Sequence, residues 1–173
     1  MNRIRADCMK KILSGCLLTL YLMVLLWLVL FKLKVNISSV FNYHHRSLNL
    51  IPFAAPAKVN GEISFGEIIF NCLFFIPFGL LLNVNFKKPG FLTKLAFIMI
   101  FSVTVELIQF IFAIGATDIT DVITNTLGGF IGLALYTLCN KYINSEKLDR
   151  VINSVGAVFF VLFMLARTRI TLR

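Results

Sequence analysis

The chain has 173 residues, 58% apolar and only 14% charged, and its 17 Lys+Arg against 8 Asp+Glu give a net charge of +9. Soluble domains run about 45–50% apolar and about 25% charged, so this composition excludes an ordinary cytosolic domain and a disordered chain. At roughly 20 residues per crossing the length suits four or five membrane helices and leaves none for a soluble domain, so residues 1–173 read as a single membrane domain.

The first span covers residues 12–31, uncharged throughout, with Tyr21 and Trp27 within it. At 20 residues it is too long for the core of a cleavable leader. Residues 32–64 form a long polar loop carrying His44, His45, Pro52 and Pro56. Its middle, Leu48-Asn49-Leu50-Ile51-Pro52-Phe53, is too apolar for a solvated linker and is expected to dock onto the helices or dip into the interface. A second span over 65–82 contains Pro77 and Gly79, which predict a kink. Asn83 through Gly90 form a turn. Spans three and four cover 95–115 and 119–139 and are joined by Ala116-Thr117-Asp118, so they form a tight hairpin. Asp118 is placed to cap span four, and Gly128-x-x-x-Gly132 is placed to let the hairpin close. A fifth, shorter span covers 151–166. The fold class is therefore all-α: a polytopic bundle of about five transmembrane helices, the fifth short, with a long external loop between helices one and two.

In a soluble protein the basic excess would suggest nucleic acid, but no basic stripe interleaved with aromatics is present, and none is expected as a partner. The bases instead set topology. Arg3, Arg5, Lys10 and Lys11 precede span one, Lys87, Lys88 and Lys94 lie between spans two and three, and Lys141, Lys147 and Arg150 follow span four. Placing these inside puts the N-terminus in the cytoplasm. Arg167, Arg169 and Arg173 then fall outside and run against the rule. Cys8, Cys16, Cys72 and Cys139 have neither CxxC spacing nor His partners, so no disulfide framework, metal or cofactor is expected.

Ionisable groups inside a bilayer are costly unless paired or wet. Glu67 and Asn71 share one face of span two, and Glu106 and Gln109 share one face of span three. Asp118, Asp121 and Asn125 share one face at the start of span four. With the N-terminus inside, Glu106 lies roughly 16 Å up a core of about 30 Å, and the span-two and span-four groups sit at the outer end. Three helices and the loop around Asn49 therefore aim polar groups at one outer half of the bundle. Helix cross-linking, worth about 0.6–2 kcal/mol per group, is the simpler role for Asn71, Gln109 and Asn125. Glu106, deep and with no obvious basic partner on a neighbouring span, fits that role least.

Four stretches resemble the VanZ family of small bacterial membrane proteins, named for teicoplanin resistance. They are Arg46-Ser47-Leu48-Asn49-Leu50-Ile51-Pro52-Phe53, Glu67 through Asn71 to Phe75-Ile76-Pro77-Phe78-Gly79, Glu106-Leu107-Ile108-Gln109, and Asp118 through Asp121-Val122-Ile123 and Asn125-Thr126 to Gly128-Gly129. Each is weak alone. Their order and spacing over residues 46–135 are specific. Two positions depart from the family's pattern: Gly115 stands where an Arg is common, and Thr120 where an Asp is common. The resemblance implies lowered susceptibility to lipid-bearing glycopeptides and adds Arg46 and Asn49 to the candidate ligand-binding residues Glu67, Asn71, Glu106, Gln109, Asp118, Asp121 and Asn125.

Two classes of function fit. One is a non-enzymatic envelope protein whose outer polar cavity binds a lipid-linked cell-wall precursor or an amphipathic antibiotic. The other is a membrane-embedded enzyme acting on a lipid-linked substrate, with Glu106 and Asp118 or Asp121 as acid/base groups or cation ligands. The first is preferred, because no Ser–His or Cys–His pair, HExxH or phosphatase-type run of bases accompanies the carboxylates.

Overall fold

The structure, a computed structural model, describes residues 2–31, 47–54, 58–59, 62–63, 65–114 and 116–171. Five helices occur among them: α1 (Asn2–Phe31), α2 (Gly66–Asn85), α3 (Phe91–Phe112), α4 (Ile119–Tyr142) and α5 (Ser145–Thr171). Four of them are long and apolar enough to cross a membrane, over Cys8–Leu30, Gly66–Asn85, Phe91–Phe112 and Ile119–Tyr142. The first four expected spans are present, with helices that overrun them, while the expected fifth, 151–166, lies within the helix Ser145–Thr171, which is not among those four. Apolar runs mark the stretch that suits lipid, whereas Arg5, Lys10 and Asn85 continue a helix into polar surroundings. The third helix starts earlier than expected and stops at Phe112.

Contacts fix the helix directions. Asn71 meets Asp121 and Asn83 meets Leu133, so α2 and α4 run parallel. Ser102 meets Asn125, and Phe91 stacks edge-on against Phe130 at 5.5 Å, so α3 runs antiparallel to α4. Gln109 reaches Val29, which sets the C-terminal ends of α1 and α3 side by side. Ser14 bonds Asn153, and Leu17 lies against Gly156, so α5 rises alongside α1 in the same direction. The bundle thus has one end holding the starts of α2 and α4, and another holding the α2–α3 turn and the start of α5.

The apolar core joins Leu18, Leu25 and Val29 of α1 to Phe75, Phe78, Leu81 and Leu82 of α2, Ile98 and Val105 of α3, and Leu133 of α4. Phe78 packs edge-on against Phe101 at 5.3 Å. Large apolar side chains such as Leu92, Phe112, Val155 and Leu162 remain exposed along the helices, as suits contact with lipid. Pro77 sits inside α2 without breaking it. Beside it the Tyr21 hydroxyl donates to the Phe74 carbonyl at 2.6 Å.

The hairpin differs from expectation in two ways. Gly128 and Gly132 do not close it. A Cβ on Gly128 would overlap the Cys72 carbonyl, and one on Gly132 the Ile76 carbonyl, so both face α2, and Gly79 of α2 lies against the backbone of Gly129, Gly132 and Leu133. The side facing α3 is Gly129, whose Cβ would come within 2.6 Å of Ile98. The connecting segment is also a strand rather than a plain turn. β1 (Ser47–Asn49) from the long loop pairs in parallel with β4 (Ala116–Asp118), setting Ser47 opposite Ala116 and Asn49 opposite Asp118. A short antiparallel pair, β2 (Lys58–Val59) with β3 (Glu62–Ile63), follows in the same loop.

α3 ends on Ala113, whose φ of 53° lies in the left-handed region. Its N–H bonds the Phe110 carbonyl, and that of Ile114 bonds the Gln109 carbonyl, closing the helix as a glycine usually does. A Cβ there costs about 1–2 kcal/mol. Ala113→Gly should therefore raise the unfolding temperature in detergent. A fall would show that the Ala113 methyl packs better than its backbone is strained.

Candidate functional site

The polar groups gather where α2 and α4 begin and α3 ends. Asp118 opens the network. Its Oδ1 accepts from the Thr120 N–H at 2.7 Å and caps α4 as the sequence predicts. Its other oxygen accepts from Asn49 Nδ2 at 3.1 Å. Its backbone N–H donates to Glu106 Oε2 at 3.0 Å. Glu106 therefore holds the strand, and Thr117 Oγ1 adds a bond to the Glu106 carbonyl at 3.2 Å. The loop is tied down from both sides. Asn49 Oδ1 accepts from the Ile51 N–H, and Thr120 Oγ1 accepts from the Phe53 N–H at 3.0 Å.

A second group lies one turn deeper. Asp121 Oδ1 accepts from Asn71 Nδ2 at 2.7 Å, joining α4 to α2. Asn125 Nδ2 donates to Ser102 Oγ at 2.9 Å, joining α4 to α3. Glu106 and Asp121 are each 3% exposed and Asn125 is fully buried, so these carboxylates sit among helices rather than at a rim. Among the described residues, Asn125 Oδ1 has no hydrogen-bond donor. In a lipid-surrounded bundle an unmet acceptor costs free energy, of order 1–3 kcal/mol.

The structure brings Asn49, Asn71, Glu106, Asp118, Asp121 and Asn125 to one end of the bundle. Glu67 lies a turn before Asn71, half-buried, in the first turn of α2. Gln109 turns elsewhere. Its Nε2 donates to the Val29 carbonyl at 3.0 Å, with Leu30 next to it, so it cross-links α3 to the last turn of α1. Arg46 and Gly115 lie outside the described residues. No group of three His, Cys, Asp or Glu among the described residues is arranged to hold a metal ion.

Three contributors were not singled out from the sequence as site residues. Thr120 receives the loop backbone, Ser102 meets Asn125, and Thr124 closes onto the Asp121 carbonyl at 3.2 Å. Only Thr120 carried a signal, since it stands where the family more often has an acidic acceptor. The rim is apolar. Leu50, Ile51 and Phe53 are exposed by more than half, and Phe53 has a φ of 59°, a strained conformation for a non-glycine.

No solved structure matches the chain. Protein VanZ of Enterococcus faecium is 63% identical over 162 residues, covering 94% of this chain and 97% of that protein. With the VanZ/LLP1 family model also matching residues 18–140, the chain belongs to the VanZ family.

Proposed function

We propose that this membrane protein lowers susceptibility to teicoplanin-type lipoglycopeptides by engaging a lipid-linked or amphipathic ligand at the polar end of its bundle. The observation that carries the reading is the convergence of Asn49, Asn71, Glu106, Asp118 and Asp121 beneath an exposed apolar rim of Leu50, Ile51 and Phe53. A ligand with a polar head and an acyl chain matches that pairing. Membership of the VanZ family, named for teicoplanin resistance, lends the antibiotic context. The test is expression in a glycopeptide-sensitive Gram-positive bacterium. Protection is expected against a glycopeptide bearing an acyl chain and not against one lacking it. Equal protection against both, or against neither, rejects the reading.

The alternative is an enzyme acting on a lipid-linked envelope substrate through paired carboxylates, favoured by the gathering of Glu106, Asp118 and Asp121 at one end of the bundle. Its distinguishing outcome is a chemically altered lipid in extracts of expressing membranes.

The reading requires the polar end to face outward and the N-terminus to face the cytoplasm, as the basic turn at Lys87 and Lys88 supports. In a chain with its four cysteines replaced by alanine, Ile51→Cys should react with an impermeant thiol reagent on intact cells, and Lys88→Cys should not. The opposite pattern would reverse the orientation.

A further inference from the structure

At the other end of the bundle, where α2 turns into α3, a cation is buried. Lys94 lies in the first turn of α3 and is only 9% exposed. Its Nζ donates to Asn83 Oδ1 at 2.6 Å. Asn83 is itself buried and fixed, with Nδ2 on the Leu133 carbonyl at 3.1 Å. An ammonium carries three donors. Among the described residues Asn83 is the one acceptor Lys94 meets, and no carboxylate lies within ion-pair reach of it.

A second cation stands close by. Asn83 ties Lys94 to the Leu133 carbonyl of α4, and Tyr136, one turn further along α4, holds Lys87. It is itself matched, by Asp149 at 2.8 Å and by the Tyr136 hydroxyl, with Nζ 4.7 Å from the centre of the Tyr136 ring. Asp149 is thereby committed, because it also accepts from Tyr136 at 2.7 Å. The one carboxylate beside the two lysines among the described residues is therefore taken by Lys87, and Lys94 is left with an amide oxygen. The α4–α5 junction beside them adds Lys141, Lys147 and Arg150 against Glu146. A lysine near a membrane surface ordinarily extends its head into water. Lys88 does so, and Lys94 turns inward to Asn83 instead.

We propose that Lys94 and Lys87, held in place by Asn83 and Tyr136, form a site for a phosphate group, supplied by an anionic phospholipid headgroup or by free phosphate. A phosphate offers several acceptor oxygens to the unmet Lys94 donors and cancels the excess charge. Basic pockets between membrane helices hold anionic headgroups in this way. The site stands apart from the resistance reading, and neither depends on the other.

The test uses the full-length protein in maltoside micelles, with phosphatidylglycerol, a neutral glycosyl-diacylglycerol or inorganic phosphate added separately. Phosphatidylglycerol should copurify with the wild type and raise its unfolding temperature, whereas the glycolipid should not. A rise with inorganic phosphate alone would assign the site to the free ion. Lys94→Met should weaken the response about tenfold, the scale of one charge-assisted hydrogen bond. Lys88→Met should leave it intact. Should Lys94→Met fail to accumulate, Lys87→Met reads the same loss. An equal response in wild type, Lys94→Met and Lys87→Met, or no response to either phosphate source, overturns the proposal.

Discussion

Gly132→Leu should leave little or no folded protein in the membrane. The side chain would enter the space occupied by the Ile76 carbonyl, which is backbone and cannot turn aside as a side chain can. Gly128 and Gly79 make the same seam, so separating the helices at one point opens it along its length. Overpacking a rigid contact typically costs about 1–3 kcal/mol and occasionally more. A seam of backbone against backbone belongs at the upper end, against a total stability of about 5–15 kcal/mol. The readouts are membrane abundance and the melting profile in detergent. Gly15→Ala is the matched control, because nothing lies within 4 Å of a Cβ there. Its profile should hold or improve. Indistinguishable melting of wild type and Gly132→Leu would show that the seam yields.

Glu106→Gln and Asp121→Asn should each reduce antibiotic protection to the level of cells without the protein. Both replacements keep the shape. Glutamine still offers an oxygen to the Asp118 N–H, and asparagine still offers one to Asn71. What they remove is an ionisable group at two sites where charge is costly to maintain in a bilayer. The double variant should be no worse than either single one, because groups acting as a unit are not additive. Abundance must be measured alongside. Full protection by both single variants at normal abundance would return these carboxylates to a purely structural role. Lost protection together with lost protein would do the same.

The spans were legible because a bilayer demands apolar runs, and those runs are long and uninterrupted. Partner choice was not. A small-xxx-small spacing says that some helix comes close, and the short connection after α3 made that helix the obvious neighbour, yet Gly128 and Gly132 meet α2. Gln109 shows a similar limit. Three residues from Glu106, it shares a helix face with it, but the last turn of α1 carries carbonyls without intrahelical partners, and Val29 is among them. Satisfying that end determined where the amide went. Asp118 as a cap was readable, because capping is local. The pairing of β1 with β4 was not, since strands of three residues show no alternation.

That pairing also sets an order of events during synthesis. Asn49 and Asp118 are 69 residues apart. At about 5–20 residues per second, a ribosome needs roughly 3–14 seconds to make the second after the first. Throughout that interval the loop after the first helix has no strand to pair with, and Asn71 has no Asp121. The polar end of the molecule is therefore incomplete until the start of α4 has been made. A nascent chain arrested before α4 would display its apolar loop and its half-site without the groups that bind them, a state open to quality-control proteases and closed to function.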